Sequence, residues 1–171
     1  DSWMGILSEG AGGSPTTQQQ DVAVGRFPVS TPEEAKIMVD KTINYMENAN
    51  AGSWQNTLMF MADDGNDNLH MKDADEVANY IADKYPDFQI KKVMWDAYQR
   101  TTSSVGNSYP EVTRIIKEQQ ANGALIMDYA GHASAGQLSH EQVVKLMDFN
   151  NFKNTNLPLW VTAACDVMPY D

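Results

Sequence analysis

Cys165 is the chain's only cysteine, and His132 is one of its three histidines. Both stand just past the end of an apolar run: "ALIMDYA" (124–130) leads into Gly131 and His132, and "LPLWVTAA" (157–164) into Cys165. A thiol and an imidazole are the parts of a nucleophile and its base. A free thiol, with a pKa of about 8.5, is only slightly ionised at neutral pH until a neighbouring imidazole stabilises the anion. Two further runs, "TLMFMA" (57–62) and "QIKKVMW" (89–95), end at Asp63-Asp64 and at Asp96. A carboxylate beside the imidazole would orient the ring and favour its charged form, the third role in such a set. Asp64 is the expected orienting carboxylate, in preference to Asp63.

Each of these residues also has a plainer reading. Lone cysteines are most often buried core residues, but Cys165 follows Ala163 and Ala164 and precedes Asp166, which places it where a strand surfaces. Gly131 permits a sharp turn before His132, and the small residues of "ASAG" leave the ring accessible. His140 reads as a first-turn residue of a helix opening at Ser139. His70 reads as part of a polar loop with Asn66, Asp67 and Asn68, whose oxygens could take a cation but lack the EF-hand spacing. One cysteine and three scattered histidines do not give the usual zinc ligand pairs, so no metal is expected. The "GAGGS" segment follows no strand and opens no helix, so no phosphate-binding loop and no cofactor are expected.

The elements that must position these groups alternate. The four apolar runs have strand length, and between them lie helical patterns opened by Asp73 with Glu76, Ser108 with Glu111, and Ser139 with Gln142, each at capping-box spacing. Strand, helix, strand in repetition implies an α/β fold with a mainly parallel sheet covered on both faces. In such a sheet, ligands gather beyond the carboxyl ends of the strands, where Asp63, Asp64, Asp96, His132 and Cys165 all stand. Upstream, Thr31-Pro32-Glu33-Glu34 predicts a capped helix from about Pro32 to Asn48 with one buried stripe. Residues 8 to 20 read as an exposed loop behind a short apolar start, so residues 1–30 form a tail and loop, and 31–171 the main domain.

With 12 basic and 23 acidic residues the formal charge is −11, which argues against nucleic acid or anionic lipid as partner. No apolar run is long enough to span a membrane as a helix, and the start carries no signal pattern.

"YAGHASAG", a following Asn and "LPLWVTAACD" resemble the catalytic segment of the C25 cysteine peptidases, the gingipain family, and the separation of His132 from Cys165 agrees with that family's. The resemblance covers nearly the whole chain and is nearest to the surface sortases of the type IX secretion system of Bacteroidetes. It implies a caspase-like α/β fold and thiol-dependent acyl transfer at a peptide bond. Cys165 would be nucleophile, His132 general base and acid, and the amides of Cys165 and Ala133 the oxyanion hole. Asp64 would stand where the Arg-specific gingipains have a glutamate. The implied substrate is a protein or peptide, the C-terminal signal of secreted cargo, with the acyl group passing to water or to an amine of lipopolysaccharide at the cell surface.

Two departures stand out. The family usually has Gly where this chain has Ala133, which would be strained if the position required positive φ. The acidic residue that receives arginine in the Arg-specific gingipains aligns with His70 or Met71, so arginine specificity is not implied. The chain stops six residues after Cys165, so it reads as part of a longer protein, with an open sheet edge through which it could dimerise. Two other classes of function compete: a catalytically silent family member that binds cargo or lipopolysaccharide, and a flavodoxin-like domain, which would retain a coloured ligand.

Overall fold

The computed structural model describes residues 2–11, 13–14, 18–104 and 106–167. It divides into two compact units, residues 1–47 and 48–171.

In the first unit a 3-10 turn, Ser2–Gly5, leads into a loop, and helix α1 spans Pro32–Met46. The loop is tied by Asp21, which accepts from Leu7 N at 2.7 Å and from Ser8 N at 3.1 Å. The capping box forms as expected: Thr31 Oγ1 accepts from Glu34 N, and Glu34 Oε2 accepts from Thr31 N, both at 3.2 Å. The expected buried stripe does not form, since no residue of α1 is buried and Ile37, Val39, Ile43 and Met46 are exposed.

The second unit begins its sheet at β1 (Thr57–Ala62), followed by α2 (Gly65–Lys84) and β2 (Gln89–Met94). A small hairpin, β3 (Thr101–Ser103) and β4 (Gly106–Ser108), precedes α3 (Pro110–Asn122) and β5 (Ile126–Ala130). Three two-residue strands follow, β6 (Ala133–Ser134), β7 (Gln137–Leu138) and β8 (Val144–Lys145), then α4 (Leu146–Phe149) and β9 (Leu159–Ala163). The main sheet is parallel, in the order β2-β1-β5-β9 among the described residues.

Strand alternation sorts the core into two layers. Met59 and Met61 pack with Val93 and Met127 against Val112 and Ile116 of α3. Leu58, Phe60 and Ala62 face the other way, onto Met71, Ala74 and Ala78 of α2. Helices therefore cover both faces, and every residue of β1 is buried. The chain leaves β1 to one side for β2 and returns to the other for β5, so the switch in strand order lies between β1 and β5. That is where an open α/β sheet has its crevice.

The expected helix opening at Ser139 is absent. Ser139 (φ 57°) and Gln142 (φ 55°) are left-handed, and the segment is instead the antiparallel meander β6-β7-β8 with only the four-residue α4 behind it. The other two helices start elsewhere than their capping patterns predict. α2 is under way before Asp73, which is an exposed mid-helix residue, and α3 begins at Pro110 with Ser108 still in β4. No described helix is long and apolar enough to cross a membrane.

Candidate active site

Asp63 leaves β1 almost fully buried, at 2 % exposure. One of its oxygens, Oδ2, accepts from the backbone N of His132 at 2.7 Å and lies 3.0 Å from His132 Nδ1. The other, Oδ1, lies 2.5 Å from His70 Nδ1 and 3.3 Å from Gly65 N. An ionised carboxylate only accepts, so both imidazoles donate from Nδ1, and in the neutral form of each ring the lone pair is then on Nε2. For His70 that nitrogen meets Asn66 Nδ2 at 3.1 Å, a donor consistent with the same tautomer. Burial would raise the Asp63 pKa, but the His132 amide and the two imidazoles outweigh it and hold the carboxyl below its usual range.

His70 reaches Asp63 because α2 starts with an unusual turn. Asn66, Asp67 and Asn68 are all left-handed, at φ 52°, 54° and 65°, a conformation that Asn and Asp tolerate better than most residues. His70 thus belongs to a helix and points back to the end of β1, not to a polar loop as its sequence neighbours suggest. Gly65 stays small for the same reason: a Cβ there would lie 2.6 Å from His132 Nδ1.

The expected partner of His132 was Asp64, and here the structure differs. Asp64 accepts from Tyr109 Oη at 2.7 Å, while Asp63 meets the ring. Tyr109 is pushed up to about 12 by burial first and by its bond to Asp64 second. Tyr129 donates to His132 O at 2.6 Å, and its pKa too is raised, chiefly by burial and then by the charge of Asp63. Trp95, fully buried, packs at 5.5 Å from the Tyr129 ring and 6.5 Å from that of Tyr109. This aromatic floor, together with Asp63 and His70, was not legible as a unit in the sequence; the aspartate pair at the end of β1 was the one signal.

His132 is about one-third exposed. Its ring packs edge-on against His70 at 4.9 Å and stacks on His140 at 4.8 Å, so His140 borders the site from the meander although no helix carries it there. Cys165 is exposed in the turn after β9. β5 and β9 pair with Ala130 opposite Ala163, and Gly131 N continues the ladder to Ala163 O at 3.2 Å. His132 and Cys165 therefore leave adjacent strands at the same level. No hydrogen bond joins them among the described residues. Asp96 is exposed beyond β2, the outer strand, and takes no part in this cluster.

Ala133 has no positive φ, so its methyl group adds no strain of the kind feared there. Ser139 N donates to His132 O at 2.8 Å, which makes that pair the hydrogen-bonded one of the ladder. Ala133, paired with Leu138, then occupies the alternate position, where the N–H turns away from β7.

The ligand atoms of Asp63, His70 and His132 all lie within 4.8 Å of one another. Residues scattered in sequence are thus gathered by the sheet into a set able to hold a metal ion, which the expectation of no metal did not foresee.

The family model of peptidase family C25 matches residues 1–171. The chain belongs to peptidase family C25. No curated protein and no solved structure matches it. Membership of C25 brings a cysteine-peptidase type of function with a protein substrate, and the parallel sheet β2-β1-β5-β9 with helices on both faces is the caspase-like α/β fold of that family.

Proposed function

We propose that this C25 domain cleaves peptide bonds through a Cys165 nucleophile and a His132 base, with Asp63 as the group that orients the base. The observation that carries the reading is the Asp63–His132 bond at the switch in strand order, with Cys165 level with His132 on the next strand. Asp63 holds the proton on Nδ1 and leaves Nε2 to accept the thiol proton. The thiolate then attacks the scissile carbonyl, the N–H groups of Ala133 and Cys165 receive the oxyanion, and His132 returns the proton to the leaving amine. The resulting thioester passes its acyl group to water or to another amine. In unliganded enzymes such catalytic contacts are often long and tighten with substrate.

At a finer level, the reading is that of a PorU-like sortase of the type IX secretion system. Its substrate would be the C-terminal signal of secreted cargo, its acceptor an amine of lipopolysaccharide, and its place the cell surface. The motifs around His132 and Cys165 support this. β9 is the outer strand of the described sheet and exposes Leu159 and Val161, which supports pairing with a second copy along that edge.

The test is alkylation of Cys165 by iodoacetamide near pH 6. An active pair reacts far faster than an ordinary thiol, and His132→Ala removes the excess. An ordinary rate in the wild-type chain would overturn the dyad and favour a silent binding domain.

A further inference from the structure

We propose that Asp63, His70 and His132 form a binding site for a zinc-class divalent ion, and that occupation of this site switches off the thiol chemistry. The second half rests on the role given to His132 above; the first does not.

Two neutral imidazoles and one carboxylate are a donor set that zinc and its neighbours prefer, whereas calcium and magnesium require more oxygen ligands. The three groups come from the end of β1, the first turns of α2 and the end of β5, which the core holds in place. Both imidazoles turn Nδ1 toward the same carboxylate. Zinc bonds of about 2.0–2.2 Å place tetrahedral ligand atoms roughly 3.3–3.5 Å apart, and the three here lie within 4.8 Å, so small side-chain rotations close the set. The outer contacts that such a site needs are present. The His132 amide and Gly65 N hold Asp63, and Asn66 meets the far nitrogen of His70. The cluster is partly shielded, with side-chain exposures of 3 % for Asp63, 19 % for His70 and 33 % for His132.

The consequence for His132 follows from the tautomer. In the metal-free chain Nδ1 carries the proton, donated to Asp63, and Nε2 has the lone pair. An ion on Nδ1 needs the lone pair of that nitrogen, so the Nδ1 proton passes to solvent and Nε2 takes one up. The imidazole remains neutral, the ion loses water ligands, and no net proton is released. With Nε2 protonated, His132 cannot accept the proton of Cys165, and the thiolate does not form. At His70 the same exchange makes Nε2 a donor, which Asn66 meets by turning its amide oxygen inward.

The experiment uses the full chain as wild type, Cys165→Ser, His70→Ala and, should the alanine variant unfold, His70→Gln. Zinc affinity is measured by competition with a chromophoric chelator, and cobalt(II) reports coordination through its visible spectrum. The expected result is one zinc per chain and a low-coordinate cobalt spectrum. Both persist in Cys165→Ser, and the affinity falls by more than about tenfold in the His70 variants. Zinc slows iodoacetamide alkylation of Cys165 in the wild type, a chelator restores it, and the His70 variants escape the effect. Wild-type affinity no tighter than that of the His70 variants would overturn the site, as would binding lost in Cys165→Ser alone. Tight binding with unslowed alkylation would overturn the switch. An ordinary alkylation rate in the metal-free wild type would overturn the catalytic reading while leaving the metal site standing.

Discussion

Asp63 and Asp64 are adjacent aspartates with separate duties. Asp63 is buried and receives the His132 amide and both Nδ1 atoms; Asp64 receives Tyr109 Oη. Replacing Asp63 by Asn removes the charge and puts an amide that can donate where only acceptors stood, which disfavours the productive tautomer of His132. The alkylation excess of Cys165 should fall by about tenfold or more, against a ceiling of roughly 300-fold that full ionisation sets at pH 6 for a thiol of ordinary pKa about 8.5. Unfolding free energy should fall by about 1–3 kcal/mol from the disturbed buried contacts. Asp64→Asn should cost about 1 kcal/mol through the Tyr109 bond and leave the alkylation excess intact. Second-order alkylation rates at pH 6 and urea midpoints of the two variants check this; the reverse order of effects would return the orienting role to Asp64. The pair was visible in the sequence, but which member turns inward is set by backbone just past the strand, where no periodicity reaches. His70 escaped for a related reason: the left-handed run at 66–68 reads as a polar loop, and only the fold shows that it aims a helix residue at Asp63.

The strands and the helices differed in how well the sequence marked them. β1 and β5 are short runs with buried side chains, so their limits follow from burial, whereas β2 and β9 are largely exposed and were marked by length and β-forming residues; the positions past those limits located His132 and Cys165. Capping-box spacing proved weaker, because an acidic pair three apart also suits an exposed helix face, as at Asp73 and Glu76. Polar residues at that spacing also suit left-handed turns, as at Ser139 and Gln142. Between β5 and the meander, Gly131 is required by close approach. A Cβ there would lie 2.7 Å from Tyr129 Cζ and 2.8 Å from Asp63 Cγ, both on side chains locked in the core. Gly131→Ala should therefore cost about 1–3 kcal/mol by overpacking and lower the alkylation excess with it. Gly136, in the same segment, has nothing within 4 Å of an added Cβ, and Gly136→Ala should stay within about 0.5 kcal/mol of the wild type. Equal urea midpoints for the two variants would show that the approach at Gly131 relaxes freely.

For the molecule as a whole, the net charge of −11 makes the carboxylates the main source of pH dependence in acid, and they do not all act in one direction. Asp63 is held below its ordinary value of 3.8, because donors outweigh its burial. Asp148 is also low, because Lys117 and the Lys145 amide outweigh its burial. Asp128, in the centre of β5, is raised by burial and has no compensating partner among the described residues. A depressed carboxyl contributes stability that is full above the unfolded value, near 3.8, and is lost as the pH falls through the folded one. A raised carboxyl does the reverse: its cost is full above the folded value and vanishes below about 3.8. Asp128→Asn should thus stabilise the chain at pH 7 and lose that advantage by about pH 3, whereas Asp63→Asn should destabilise at pH 7 with a deficit that narrows by about pH 3. General charge repulsion changes over the same range, but it changes nearly alike in wild type and variants, so differences in urea stability at the two pH values isolate the local effect. An Asp128→Asn gain that persists undiminished at the lower pH would mean that the carboxyl acts through packing and not through its charge. The half-buried centre of β5 would then carry no electrostatic cost.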